Sequence, residues 1–477
     1  MGKSKIQNKF TFKESVSIKY AILIACCALL TFFANSASFS FPQVISLVIF
    51  SASVLATLLF WESRVAIAFL GIAALILTKT IDIEHLVLFS SLEVILFLVG
   101  MMVIVGLLRE VNFFNWILCR LVTLKGMTSK KLVVVICLSS AVMACLVDEV
   151  TSIIFMVALV FALTDYFEVN PVPFLIITVI STNIGSTGTV LGNPIGILIA
   201  TRAGLTFEDF LLHAFPLMVI VLSAAIGIVL FWYRRELEEL DTKINAHGND
   251  REAFTKLVCV PMTREIRKEF FIFFVTLLFI GLHHRIEYAF GLPTNSLLLS
   301  IPLISAGAIM LWRRNKAKEY IEKDVDWWTL IFFMLLFAKV GALKYTGVTD
   351  IFSKGIAQLA HGSQFFMITF ILWVSAIGSS ILDNVVLVAT FIPVISELKT
   401  MGIDVSSLWW ALLFGGCLGG NITMVGSTAN IVALGMLEKR PGRPSISFFQ
   451  WFKIGSVIGL LTTGIVWLIL MTFSSFF

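Results

Sequence analysis

The sequence predicts an all-α polytopic membrane protein with about eleven transmembrane spans, two re-entrant hairpins, and two inverted structural repeats with broken helices. Three observations carry this prediction. Of 477 residues, 58% are hydrophobic and only 14% charged, against about 25% charged in a typical soluble domain. Apolar runs of roughly 20 residues recur along the chain, enough to cross a hydrocarbon core about 30 Å thick. Several motifs also recur at a constant separation of 235 residues.

The N-terminal stretch "MGKSKIQNKFTFKESVSIKY" is basic and has no convincing small-residue cleavage site, so the apolar run after it reads as a retained first span. Spans are read at 18–36, 42–61, 64–80, 88–108, 172–203, 210–232, 270–290, 296–312, 327–343, 406–437 and 452–475. The stretches 131–164 and 364–398 differ, since each is long, apolar and interrupted by acid or amide residues at its centre. Each is too long for one span and too short for two with a loop, which suits a hairpin buried in protein or lining a wet cavity.

Lys and Arg concentrate in the connections that this scheme places inside: Arg109 to Lys131, Tyr233 to Glu269, Trp312 to Asp324 and Glu438 to Ser445. The intervening connections are poor in them, which puts the N-terminus in the cytoplasm and the C-terminus outside. The net charge of +5 is spread over short loops rather than gathered on one face, so no nucleic-acid partner is implied; membrane lipids are the expected surroundings.

Sliding the chain on itself reveals the repeat. "FLVGMMVIVGLLREVNFF" superposes on "FFMLLFAKVGALKYTGVT" and "LVDEV" on "ILDNV", pairing Gly106 with Gly341, Asp148 with Asp383 and Glu149 with Asn384. One residue of slip then pairs Gly192 with Gly426 in "TVLGNP" and "TMVGST". An odd number of crossings separates the copies, so they are inverted, an architecture that places binding sites where the halves meet. The expected organisation is an N-terminal tail with two extra spans (1–62), a first repeat (63–232), a cytoplasmic linker (233–269), a connecting span (270–295) and a second repeat (296–477).

Four polar breaks interrupt the apolar runs: "VDE", "TNIGSTGTVLGNP", "LDN" and "GGNITMVGSTAN". Half-helix ends and freed carbonyls at such breaks are ion sites. The candidate ligands are Asp148, Glu149, Asn183, Ser186, Thr187 and Asn193 in the first half and Asp383, Asn384, Asn421, Thr423, Ser427 and Asn430 in the second. An ionised carboxylate at membrane depth costs about 2.5–3.5 kcal/mol, so these acids are expected to hold a transported cation or proton. Na⁺ suits the same carboxylate and amide oxygens. The alternative for Asp148 and Asp383 is helix capping, and for the Ser and Thr side chains, satisfaction of freed backbone groups.

Neither cofactor nor transition-metal site is expected: the seven Cys have no CxxC spacing and read as small buried hydrophobes. Cys145 and Cys417 lie close enough to the breaks to admit a soft-metalloid role. His283 and His284 are placed in a solvated outer loop, and with no His in a span core an intramembrane hydrolase is disfavoured. Lys339 is expected to snorkel from its span, with a counter-charge role as the alternative.

These motifs resemble the ion transporter superfamily, in the branch of arsenite permeases (ArsB-type), the P protein and silicon efflux transporters, with NhaD-type sodium/proton antiporters nearby. The likeness runs from about residue 42 onward and is carried by "FLVGMMVIVGLLREVNFFNWI", "NPVPFLI", "STNIGSTGTVLGNPIGILIATRAGLTFEDFL", "ILDNVVLVATFIPVI" and "WWALLFGGCLGGNITMVGSTANIVALGMLEK". The family pattern has an Asp-Asn pair at both hairpin tips and Gly-Asp-Pro-Pro-Asn in the first broken helix. Here Glu149 stands where Asn is usual, Asn193 where Asp is usual and Gly196 where Asn is usual. The resemblance implies an elevator-like alternating-access transporter, in some relatives a homodimer, with substrate held between hairpin tips and broken helices.

The expected function is therefore secondary active transport, not enzymatic catalysis, across a plasma membrane (the inner membrane in a bacterium). The coupling ion is a proton or Na⁺, and efflux of a small inorganic solute of arsenite or silicic type is favoured. The alternatives are an Na⁺/H⁺ antiporter and a di- or tricarboxylate (citrate-like) transporter; a channel on the same fold would lack saturable, gradient-coupled flux.

Overall fold

The computed structural model describes residues 3–37, 39–122, 128–246, 261–440, 445–474 and 476–477. The expectations for Lys125, for Cys259 with the middle of the linker, and for residues 441–444 lie outside them. The described elements are helical: α1 (Lys3–Ser36), α2 (Phe41–Leu59), α3 (Arg64–Leu77), α4 (Ile83–Phe89), α5 (Leu92–Glu110), α6 (Phe113–Val122), α7 (Ser129–Leu146), α8 (Glu149–Tyr166), α9 (Pro171–Gly185) and α10 (Pro194–Ala203). After α11 (Phe207–Trp232) come α12 (Arg234–Ala246), α13 (Arg264–Phe290) and α14 (Ser296–Trp312). Next is α15 (Arg314–Asp324), set at 105° to α14. The chain ends with α16 (Trp327–Tyr345), α17 (Val348–Ala360), α18 (Gln364–Ser379), α19 (Asn384–Thr400), α20 (Ser406–Gly419), α21 (Thr428–Glu438) and α22 (Phe448–Thr472).

Nine of the described helices are long and apolar enough to cross a membrane, and the chain is a polytopic membrane protein. The two broken spans are short helix pairs, α9 with α10 and α20 with α21, each flanking a stretch of turns. The breaks follow from composition: Gly-rich segments end α9 and α20, and Pro194 can only begin α10. The hairpin arms correct the length argument, because α7 and α8 have 18 residues each and could cross by length alone. Re-entrance must therefore rest on what the tips meet.

The repeat appears as matching element bounds. Helices α5 and α16 begin and end 235 residues apart, and α8 and α19 begin at that same offset. Close contacts repeat as well. A Cβ on Gly185 would stand 2.3 Å from Ala141 Cα, and one on Gly419 would stand 2.6 Å from Ala376 Cα, so both breaks sit where two backbones approach too closely for a side chain.

Two compact units divide the chain. One comprises residues 1–95 and 326–359. In it α16 packs against α2, α3 and α4, and Gly341 leaves the space that Phe89 fills. Lys339 does not snorkel: it sits in the middle of α16 with 1% of its surface exposed, because α2 and α3 cover that face.

The other unit comprises residues 96–325 and 360–477. Here Gly106 admits Asp324, the repeat-equivalent of the Gly341–Phe89 contact. Within this unit α7 and α8 pack on α9, and α18 and α19 pack on α20. The second half of each broken span crosses to the other hairpin, α10 onto α19 and α21 onto α8. His283 departs from expectation, being buried within α13 with Nδ1 2.7 Å from the Ile280 carbonyl and Nε2 3.3 Å from Asn295 Oδ1. His284, by contrast, is exposed.

Candidate ion and substrate site

The second unit gathers both hairpin tips and both broken spans. Each tip is a short gap between helices, and its Asp is the N-cap of the returning arm. Asp148 Oδ1 accepts from the Val150 and Thr151 amides at 2.8 Å each, and Asp383 Oδ1 accepts from the Val385 amide at 3.0 Å. Both aspartates thus satisfy orphan N–H groups of a helix start. The other Asp383 oxygen accepts from Thr428 Oγ1 at 2.7 Å, which ties the second hairpin to the start of α21.

The residues after the caps are differently placed. Glu149 is 1% exposed, and its Oε2 has no hydrogen-bond partner among the described residues. Asp383 and Asp148 act on it electrostatically, and its carboxyl faces Ser186 and Asn384. Asn384 is fully buried beside that carboxyl, and among the described residues neither of its amide atoms has a partner at hydrogen-bond geometry. Buried polar groups are rarely left this way, and three such atoms fall on the two repeat-equivalent tip residues.

The broken spans meet through amides. Asn183 Nδ2 donates to Asn421 Oδ1 and to Asn430 Oδ1, both at 2.9 Å, and its Oδ1 accepts from Ser427 Oγ at 3.1 Å. Asn430 Nδ2 donates to the Gly420 and Thr423 carbonyls at 2.8 Å each, satisfying the acceptors that the break frees. In the first half, Asn193 Oδ1 caps α10 by accepting from the Gly196 amide at 2.8 Å. Its Nδ2 donates to Ser186 Oγ at 2.9 Å and to Cys417 Sγ at 3.2 Å. Asn421 Nδ2 has no partner among the described residues.

Not every sequence candidate joins this network. Thr187 Oγ1 donates to the Ile184 carbonyl at 2.7 Å and Thr423 Oγ1 to the Ser380 carbonyl, so both hydroxyls satisfy backbone. Ser186 Oγ donates to the Asn183 carbonyl while facing Glu149. The free thiols Cys145 and Cys417 are buried; Cys145 Sγ donates to the Gly185 carbonyl at 2.9 Å. Among the described residues no group of three or more His, Cys, Asp or Glu side chains could hold a metal ion.

Sequence reasoning passed over two contributors. Thr428 stands inside a quoted motif, one residue after a candidate, and its position at the helix start was the available signal. Trp451, whose Nε1 donates to the Asn421 carbonyl at 3.1 Å, lies on an unbroken apolar helix and gave no signal.

The chain as a whole resembles known transporters. The chain is 33% identical over 405 residues to an uncharacterized transporter of Mycobacterium tuberculosis, covering 83% of this chain and 90% of that one. It is 26% identical over 441 residues to the human P protein, covering 78% of this chain and 52% of that protein. Among solved structures the YdaH transporter of Alcanivorax borkumensis shares the fold at a TM-score of 0.50 and 12% identity, covering 80% of this chain and 85% of that one. A family model described as "Citrate transporter" matches residues 45–415. The chain is a multi-pass membrane transporter and belongs to this citrate transporter (CitMHS) family, related to the P protein and consistent with the ion transporter superfamily that its motifs resemble.

Proposed function

We propose that this chain is a secondary active transporter in which Glu149, flanked by Asp148 and Asp383, takes the coupling ion, a proton or Na⁺. The observation that carries the reading is the Glu149 carboxyl, buried at a helix gap beside Asn384, where among the described residues neither Glu149 Oε2 nor either Asn384 amide atom has a partner at hydrogen-bond geometry. Such a carboxylate is stable at membrane depth only with a proton or cation beside it. Asn183, Ser186, Asn193, Asn421, Ser427 and Asn430 supply the amide and hydroxyl lining. Asp383 ties the second tip to the start of α21 through Thr428, and Thr189 in the first break donates to the Cys145 carbonyl near the first tip, which supports reading both hairpins as re-entrant.

Among the described residues the side-chain hydrogen bonds of the lining join carboxyls, amides and hydroxyls, and the one cation that acts on a tip acid is Arg109, on Asp148. That favours a small solute arriving neutral, as in the arsenite- or silicic-type efflux expected from the motifs. A second reading, transport of a citrate-like carboxylate, is favoured by the family description over residues 45–415. With three acids at the tips, such an anion would need neutralisation by a bound cation or protons.

The test is transport in proteoliposomes carrying an internal pH dye, challenged in turn with arsenite, citrate and Na⁺. A pH change evoked by arsenite supports the first solute reading, one evoked by citrate the second, and one evoked by Na⁺ alone an Na⁺/H⁺ antiporter. In each case Glu149→Gln is expected to abolish the coupled pH change. If Glu149→Gln and Asp383→Asn both leave it intact, the coupling role is wrong.

A further inference from the structure

The first unit holds a buried charge that the carboxylate site does not use. Lys339 lies in α16 at 1% exposure, and among the described residues it has no hydrogen bond or ion pair and no charged side chain acts on it electrostatically. Its repeat-equivalent is Ile104, so the lysine belongs to the second repeat alone. An ammonium at membrane depth is costly unless something compensates it, and no carboxylate among the described residues does.

The neighbouring side chains narrow down what could. Gly71 on α3 stands between α2 and α16: a Cβ there would lie 2.4 Å from Ser53 Oγ and 3.2 Å from Lys339 Cδ, so the hydroxyl and the lysine stem converge on one spot. Thr57 follows Ser53 by one turn on the same face of α2, and both are buried. Helical Ser and Thr in this protein usually donate to the carbonyl three or four residues back, as Ser139, Thr178 and Ser181 do. Among the described residues Ser53 and Thr57 have no side-chain hydrogen bond, whereas Ser46 on the same face pairs with Thr346 at 2.8 Å. The lysine stem and the Ser53 hydroxyl therefore lie close together in a buried setting, with Thr57 one turn along, and among the described residues none of the three side chains has a hydrogen-bond partner and no carboxylate acts on the lysine.

We propose that Lys339, Ser53 and Thr57 form a site for a small monovalent inorganic anion, a halide being the simplest. Such a ligand is acceptor-only and compact, and it compensates the ammonium where no side chain does. All three residues belong to the first unit, whereas the carboxylate-site residues belong to the second.

The test uses the purified full chain in detergent. Thermal unfolding is followed while sodium chloride replaces sodium gluconate at constant sodium and ionic strength, then repeated with bromide. A ligand that binds only the folded state raises the melting midpoint with saturation. The expected result is a saturable rise with both halides that disappears in Lys339→Met. Should that variant fail to fold, the double variant Ser53→Ala, Thr57→Val is expected to weaken the apparent chloride affinity by about tenfold, the scale of a lost hydrogen bond to a charged group. No halide dependence in the natural protein would overturn the proposal. So would a dependence that survives Lys339→Met, or an unchanged affinity in the double variant.

Discussion

Asn183 is the side chain on which the two broken spans converge, since it serves Asn421, Asn430 and Ser427 at once. Replacing it with Ala leaves three buried polar atoms short of a partner, each costing about 1–3 kcal/mol. Asn183→Ala is therefore expected to lower the melting midpoint markedly and to abolish transport. Ser186→Ala should be milder, because Asn193 Nδ2 keeps the Ser186 carbonyl and Cys417 Sγ as acceptors. A thermal-shift comparison giving the reverse order would sink this account. Residue types in the breaks were legible in the sequence, because amides inside an apolar run demand an explanation. Their pairing was not: nothing in local pattern says that Asn183 meets residues about 240 positions away. Capping and ion-facing roles were not separable either. Asp148 and Asp383 turned out to cap their helices while Glu149 and Asn384 face each other, and adjacent residues at a helix start differ in that way only once the helix is placed.

At the scale of elements, glycines decide where the hairpins can sit. Gly185 and Gly419 end the first halves of the two broken spans, and each lies against a hairpin backbone, at Ala141 and Ala376. Adding one methyl group to either should force overpacking that costs about 1–3 kcal/mol. Gly185→Ala and Gly419→Ala are expected to destabilise by similar amounts, measurable as loss of monodisperse protein on heating. A large effect from one and none from the other would contradict the equivalence of the two breaks. The linker shows what element boundaries concealed. Its charged sequence reads as a solvated loop with some helix; the helix is α12, which in addition buries Leu237 and Leu240, and its Asp241 Oδ1 accepts from the Ser129 amide at 2.6 Å at the start of α7. The amphipathic spacing was present, but the partner surface at the foot of the first hairpin exists only in the folded chain.

At the scale of the whole molecule, eleven crossings would put the two termini on opposite sides of the membrane. Reporter fusions at the N-terminus and at Ala246 are expected to read cytoplasmic, and fusions between Thr400 and Ser406 and at the C-terminus to read outside. Any fusion on the wrong side would break the crossing count. The same inversion explains why each broken span exchanges its second half with the other hairpin, α10 onto α19 and α21 onto α8. By itself the sequence determined the membrane class, the helical content, the repeat at 235 residues and the location of the four breaks, because hydropathy and helix-breaking residues act locally. Only the tertiary structure decided which buried groups find partners. Lys339, read as snorkelling, is enclosed by α2 and α3, and His283, read as solvated, is buried on α13, which packs against α14 and meets Asn295. Burial at such positions depends on which helices pack alongside, and that is set by long-range contacts between distant parts of the chain, such as Gly71 against Lys339.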